Sequence, residues 1–205
     1  MQKETRQQII RSLFAGFMIA VGCTVYLSCT NKIVGSVLFS SGLFFILSQG
    51  GVLFTGVCGL KTPWKTMGLV LLFNALGGLI CGALTWPSGK LAETAATLML
   101  GKLGANPLSW LTNGVLCGVM MYLAVMGYKQ GKDTAHGLAG VLYAVPVFIL
   151  SAFEHSIADL GYLALAIPAL GAVEILQCLG LILVVVIGNI IGGKLARYVL
   201  VDWQK

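Results

Sequence analysis

Six apolar segments divide the chain, and each is long enough to cross a lipid bilayer as a helix. A spanning helix needs about 20 mostly apolar residues. The segments lie at residues 9–29, 33–55, 67–86, 108–128, 136–160 and 170–200. Charged residues make up 10% of the chain and hydrophobic residues 58%, whereas a soluble domain carries about 25% charged residues. The sequence therefore predicts an all-α integral membrane protein with six transmembrane helices.

The positively charged residues favour a topology in which both chain termini lie in the cytoplasm. With six spans in that orientation, Lys32, Lys90 and Lys102 lie outside, and the other lysines and arginines lie inside. The inside group is Lys3, Arg6, Arg11, Lys61, Lys65, Lys129, Lys132, Lys194, Arg197 and Lys205. Membrane proteins carry such an excess on the cytoplasmic side. We therefore expect a multi-pass protein of the cell (inner) membrane, in contact with the lipid bilayer. Because the basic residues are dispersed along the chain, we expect no nucleic-acid partner.

A short motif occurs once in each half of the chain. The third segment contains Asn-x-x-Gly-Gly at 74–78, and the sixth contains it at 189–193. Each of these segments is the last of three. The pattern predicts two repeat halves, at about 9–86 and 108–200, within a single domain, 1–205. Because each half crosses the membrane an odd number of times, the two halves have inverted topology.

The middle segment of each half is interrupted. The second segment contains "GGVLFTG" at 50–56, and the fifth contains "AFEHS" at 152–156. Broken backbone at membrane depth is tolerated only where it lines a cavity or is buried in protein. Interrupted helices at corresponding positions of two repeats are typical of a substrate path near the bilayer midplane. We therefore predict that helices 2 and 5 are interrupted and that the two breaks line such a path.

Three ionisable residues stand in the apolar stretch "SAFEHSIADL" at 151–160. Because a charge at the bilayer centre is costly, ionisable residues at that depth are usually functional. We interpret His155 as a residue that faces the path, the alternative being a bond to a helix backbone. Glu154 is adjacent to it and points elsewhere on a helix, so we expect it to support a backbone or a neighbouring protomer. We expect Asp159 to be solvated near the outer end of the segment.

Other classes of protein are disfavoured by the residues present. The six cysteines form no CxxC pair and the chain has two histidines, so we expect no metal site and no cofactor. The Glu-His-Ser sequence at 154–156 is not accompanied by a Gly-x-Ser-x-Gly motif, and neighbouring helix positions do not face each other. We therefore expect no enzyme activity. A structural or receptor-like membrane protein that transports nothing is the remaining alternative.

Three longer motifs and their spacing carry a resemblance to a known family. The motifs are "LFTG" at 53–56, "AFEHSIAD" at 152–159 and "IGNIIGG" at 187–193. Phe39 stands sixteen residues before Thr55, and Phe148 stands seven before His155. Lys102 leads into "NPLSW" at the start of the fourth segment. On these features the chain resembles the formate/nitrite transporter (FNT) family of small-anion channels over nearly its whole length.

The resemblance implies an aquaporin-like protomer with its own pore, assembled as a homopentamer. It implies a channel that passes small monovalent anions of weak acids by diffusion, formate or nitrite first, in a proton-linked manner. Hydrosulfide or a short monocarboxylate such as lactate or acetate is the alternative substrate. Gly118 and Asp159 depart from the family, which has asparagine at both positions. These departures leave the polar surroundings of the pore, and with them the substrate, open.

The resemblance and the side-chain chemistry together assign roles to individual residues. The substrate-pore residues are His155, Thr55, Lys102, Phe39, Phe148 and Leu53, and the supporting residues are Glu154, Asn74, Asn189 and Ser156. Lys102 would attract anions, and His155, which belongs to the residue type that titrates near neutrality, would share a proton with them. The apolar pore residues would contribute to two apolar rings, and the Thr55 hydroxyl would bind substrate oxygens. The asparagines would satisfy backbone groups at the broken helices.

Overall fold

The computed structural model describes residues 2–132 and 134–202, and this part of the chain is almost entirely helical. Its α-helices, in chain order, are α1 (Gln2–Ser28), α2 (Lys32–Ser48), α3 (Phe54–Val57), α4 (Trp64–Thr85), α5 (Gly89–Leu103), α6 (Pro107–Gln130), α7 (Ala135–Leu150), α8 (Ser156–Ala166) and α9 (Ala172–Arg197). A 3-10 turn at Ile167–Ala169 precedes α9, and a π-helical turn at Tyr198–Asp202 follows it.

Four helices of the described chain are long and apolar enough to cross a membrane. These spans are Lys3–Ser28, Trp64–Thr85, Pro107–Gln130 and Ala172–Asp202. Shorter apolar helices lie at Lys32–Ser48, Ala135–Leu150 and Ser156–Ala169. Large apolar side chains face outward, as at Leu84, which is 70% exposed, and Leu176, which is 71% exposed. Such surfaces suit contact with lipid. The structure therefore confirms the predicted class, an all-α protein with membrane-spanning helices.

The two most extensive helix pairs, α1 with α4 and α6 with α9, cross at glycines. A Cβ atom at Gly77 on α4 would lie 2.0 Å from the carbonyl oxygen of Leu13 on α1. A Cβ atom at Gly192 on α9 would lie 1.9 Å from the carbonyl oxygen of Val115 on α6. Each of these glycines belongs to one of the two Asn-x-x-Gly-Gly motifs. Small residues of this kind allow membrane helices to approach backbone to backbone.

The chain leaves the helical path between α2 and α3 and again between α7 and α8. After α2, Gly50 has a φ of 69°, and after α7, Ala152 has a φ of 54°. This left-handed region is open to glycine and costs other residues about 1–2 kcal/mol. The alanine is therefore held there by the surrounding structure. The helix after the second break extends to Ala166, beyond residue 160, where the fifth apolar segment was expected to end.

The connection between α4 and α6 is itself a helix, α5, which packs mainly on α8. Its buried face consists of small and flexible residues, Ala92, Ala95, Ala96 and Met99. This face holds α5 close to α8, so that Lys102, in the last turn of α5, reaches the break that precedes α8. Lys102, which the sequence places in a connection between two spans, therefore reaches into the protein interior.

Candidate functional site

Asn74 holds the first break together. Its side-chain oxygen accepts a hydrogen bond of 2.7 Å from the backbone N–H of Phe54, the first residue of α3. Its side-chain nitrogen donates to the carbonyl oxygen of Ser12 at 2.7 Å and to that of Val52 at 3.0 Å. Backbone groups without partners are costly at membrane depth. One buried amide therefore bonds two backbone groups at the break and ties them to a carbonyl of α1.

Asn189 does the same for the second break. Its side-chain oxygen accepts a hydrogen bond of 2.9 Å from the backbone N–H of Ser156, the first residue of α8. Its side-chain nitrogen donates at 2.8 Å to the carbonyl oxygens of Gly114 and Glu154. Each asparagine thus bonds the first N–H of the short helix, a carbonyl two residues earlier, and a carbonyl of a long helix, α1 for Asn74 and α6 for Asn189.

One further pair of backbone bonds follows the same scheme. The N–H of Val52 donates to the carbonyl of Arg11 on α1, and the N–H of Glu154 donates to that of Asn113 on α6, both at 3.2 Å. The two breaks are therefore built by one bonding pattern used twice, with α1 and α6 in equivalent places.

His155 and Thr55 join the two breaks. The Nε2 atom of His155 lies 2.9 Å from the Oγ1 atom of Thr55 on α3, and both residues are buried. The Nδ1 atom of His155 accepts a hydrogen bond of 2.9 Å from the backbone N–H of Ala158, so His155 caps α8. A neutral imidazole has one N–H. Because Nδ1 accepts, that hydrogen is on Nε2 and is donated to Thr55, whose own hydroxyl hydrogen is left to bond another acceptor.

Two phenylalanines form an apolar constriction beside this pair. The ring of Phe148 stacks on the imidazole of His155 with 5.4 Å between centroids. Phe39 meets Phe148 edge to face at 6.3 Å. Leu53 is buried where α3 begins. The expectation that Phe39 and Phe148 contribute to two apolar rings stays a prediction, and their edge-to-face contact places both at one constriction.

A cavity of ≈ 180 Å³ lies against the constriction. Its ionisable lining includes Lys102, Glu154, His155 and Asp159, and its apolar lining includes Phe39 and Phe148. A water molecule occupies about 30 Å³ in the liquid, so the cavity has room for a small anion and some of its hydration. Polar groups and the apolar constriction therefore meet at one place.

Lys102, which the sequence suggested as a positive centre that attracts anions, is paired in the structure. Its ammonium group forms ion pairs with the carboxylates of Glu154 and Asp159, the latter at 2.7 Å. Asp159 was expected to be solvated, but it is 1% exposed. Glu154 was expected to support a backbone or a neighbouring protomer, but its side chain pairs with Lys102. The reason in each case is α5, which covers α8 and encloses carboxylates that then need a counter-charge.

Gly118 lies where α6 crosses α9. A Cβ atom there would lie 2.4 Å from the carbonyl oxygen of Asn189 and 2.9 Å from the N–H nitrogen of Gly193. No side chain fits this crossing, which accounts for glycine in place of the asparagine found elsewhere in the resembled family. The predicted support residue Ser156 acts through its backbone N–H, because its buried hydroxyl has no hydrogen-bond partner within the described chain.

The fold and site together define a class of protein: a helical membrane protein in which the N-terminal ends of two short helices, α3 and α8, meet at a buried polar site beside two contacting phenylalanine rings. This architecture is typical of transporters and channels. Within the described residues, no group of three or more His, Cys, Asp or Glu side chains could hold a metal ion.

Comparison with known proteins identifies the family. A family model described as "Formate/nitrite transporter" matches residues 1–203. The chain therefore belongs to the formate/nitrite transporter family, as its motifs indicated. This is a family of transporters, so the expectation that the chain is not an enzyme is confirmed.

Individual relatives are distant in sequence. The formate channel FocB of Escherichia coli (strain K12) is 25% identical over 186 residues, which is 77% of this chain and 66%, slightly under two thirds, of FocB. A probable formate transporter of Methanothermobacter thermautotrophicus is 25% identical over 91% of this chain and 84% of its own.

Solved structures share the fold. The structure titled "Pentameric formate channel with formate bound" matches the whole of both chains with a TM-score of 0.84 at 19% identity. A structure titled "FNT family ion channel" matches all of this chain and 92% of its own with a TM-score of 0.83 at 20% identity. At these identities the likeness shows the fold.

Proposed function

We propose that the chain forms a channel for small monovalent anions of weak acids, formate or nitrite first, which cross by diffusion together with a proton. The observation that carries this proposal is the His155–Thr55 pair, which joins the two breaks between a charged cavity and the Phe39–Phe148 constriction. FocB, a relative of this chain, bears the name of a formate channel.

The constriction determines the form in which the substrate passes. A full charge is costly in an apolar region of a membrane, and Phe39, Phe148 and Leu53 are all buried apolar residues. A weak acid can avoid that cost by accepting a proton in the cavity and crossing as the neutral molecule. Anions of strong acids cannot do so, and we expect them to be excluded.

Thr55 acts as the hydrogen-bond donor to the substrate in this proposal, and His155 donates to Thr55. The imidazole hydrogen is already on Nε2, and Nδ1 is occupied by the N–H of Ala158. His155 therefore stabilises an oxygen near Thr55 without parting with its own hydrogen. The Thr55 hydroxyl, which accepts from His155, donates in turn to a substrate oxygen, and the proton that neutralises the substrate enters from the cavity.

The wider architecture is proposed on the same grounds. Six spans in two inverted halves, about 9–86 and 108–200 within one domain, are supported by the bonding pattern that recurs at both breaks. Assembly as a homopentamer in the inner membrane is supported by the relative titled a pentameric channel. Cytoplasmic termini are supported by the dispersed lysines and arginines, of which Lys205 lies outside the described residues.

An anion-flux experiment tests the proposal. Purified protein in liposomes is assayed with formate, nitrite, lactate, acetate and hydrosulfide, with nitrate as the strong-acid control. We expect faster uptake than in empty liposomes for at least formate or nitrite. In Thr55→Val we expect the rate of uptake to fall ten-fold or more, about the value of one hydrogen bond to substrate. Hydrosulfide, lactate or acetate as the fastest substrate would favour the alternative assignment. If no anion enters faster than in empty liposomes, the channel proposal is refuted. The alternative of a membrane protein without transport activity then stands.

A further inference from the structure

The charged group around Lys102 contains more negative than positive charge. Two carboxylates, those of Glu154 and Asp159, share one ammonium group. The side chains are largely enclosed, with relative exposures of 21% for Lys102, 9% for Glu154 and 1% for Asp159. Fully ionised, the three residues leave one negative charge without a partner, and a buried unpaired charge is strongly unfavourable.

One oxygen of Asp159 has no hydrogen-bond donor within the described chain. Asp159 Oδ1 bonds to Lys102, but Oδ2 is buried without a hydrogen-bond partner in the described chain. The titratable groups that face Asp159 from the surrounding helices are Cys23 and Tyr26 from α1, Lys102 from α5, Cys117 from α6 and Cys178 from α9. On its own side of the cavity it faces Glu154, His155 and Tyr162. Within this set, Lys102 carries the one ammonium group, and no described residue supplies a second ammonium group to balance the second carboxylate.

Two oxygens on the same ammonium nitrogen lie at most about 6 Å apart. Two carboxylates that share a site at this distance disfavour each other's ionisation. A proton on the pair removes the excess charge, since one carboxylate then balances Lys102 and the other is neutral. The unpartnered Oδ2 atom of Asp159 is the oxygen least stabilised as an anion, which makes it the position for that proton.

We propose that Glu154 and Asp159 together hold one exchangeable proton and transfer it to the weak-acid anion that enters the cavity. This inference rests on the proposed function. In the transfer, the O–H bond of the carboxylic acid breaks and an O–H bond forms on the anion. The neutral acid passes the Phe39–Phe148 constriction, and the carboxylate left behind takes a proton from water on the cavity side.

The aspartate at position 159 makes the proposed proton site a property of the present chain. The resembled family has asparagine there, a neutral side chain of the same shape, so that Lys102 and a single carboxylate would balance. Asp159→Asn therefore restores charge balance without the proton while keeping an oxygen to accept from Lys102. Glu154→Gln also leaves one carboxylate for one ammonium. Both variants should lose the proton.

Infrared difference spectroscopy tests the proposal directly. The protein in lipid nanodiscs is titrated around neutral pH, and the carbonyl stretch of a protonated carboxylic acid is followed. We expect this band in the wild type, with a downward shift in D₂O, and its loss in Asp159→Asn and in Glu154→Gln. The control Glu93→Gln, which changes an exposed carboxylate of the same α5 helix, should keep the band.

The outcomes separate this inference from the proposed function. A wild type without a protonated carboxyl band near neutral pH, but with anion flux, would overturn the proton site and leave the channel intact. A band that persists in Asp159→Asn would also overturn it. A band that behaves as expected, in a protein that passes none of the anions, would support the proton site and remove its proposed use.

Discussion

Replacement of Gly192 by alanine is expected to force α6 and α9 apart. The added Cβ atom would lie 1.9 Å from the carbonyl oxygen of Val115 and 3.0 Å from the backbone nitrogen of Val119. An ordinary contact between heavy atoms lies at about 3.5 Å or more, so the two helices must separate by about 1.5 Å. Because the obstructing atoms are backbone, no side-chain rotation relieves the contact.

The size of the effect follows from two opposing terms. Overpacking costs about 1–3 kcal/mol, occasionally more, and the severity of the contact favours the upper end. Alanine in place of glycine inside a helix stabilises the helix by about 0.5–1 kcal/mol. We therefore expect a net loss of about 2 kcal/mol in the free energy of unfolding. The displacement also moves Asn189, one turn earlier on α9, which holds the second break, so anion flux should fall as well.

Gly180→Ala on the same helix is the matched control. A Cβ atom at Gly180 meets nothing within 4 Å, so this variant should be unchanged or more stable by up to about 1 kcal/mol. The free energy of unfolding of both variants is measured by detergent titration in mixed micelles. Equal stability of the two variants would refute the close backbone crossing at Gly192.

Three further predictions concern the site. Asn74→Ala removes the partner of three buried backbone groups and should lower the free energy of unfolding by about 2–5 kcal/mol in the same titration; a value near zero would contradict its role. Thr55→Ser keeps the hydroxyl and should retain most of the formate flux that Thr55→Val loses, and equal flux in the two would exclude the hydroxyl. Phe148→Ala opens the constriction and should admit nitrate in the flux assay, whereas continued exclusion of nitrate would place the selective barrier elsewhere.

Much of the architecture follows from local sequence. The length of an apolar segment is set by the bilayer, and the glycine and asparagine residues within α4 and α9 are residue types that a close crossing and a broken backbone require. Asn74 and Asn189 could therefore be assigned to the breaks before their bonds were known. The pairing of each asparagine with particular carbonyls needed the structure.

The charged part of the site could not be derived in the same way. Lys102 and Glu154 are 52 positions apart, and their contact depends on how α5 packs over α8. From the sequence alone, α5 looks like a long connection, and Asp159 looks like the solvated end of a span. The contact between Phe39 and Phe148 also depends on the relative placement of α2 and α7, which no local pattern encodes.

The most direct test of the account is the proton that accompanies the anion. Formate uptake and internal pH are recorded together in the same liposomes, with the membrane potential set by a potassium gradient and valinomycin. The account predicts one proton for each formate and a rate that does not change with membrane potential, because the species at the constriction is neutral. Formate uptake that follows the membrane potential without a matching proton flux would contradict it.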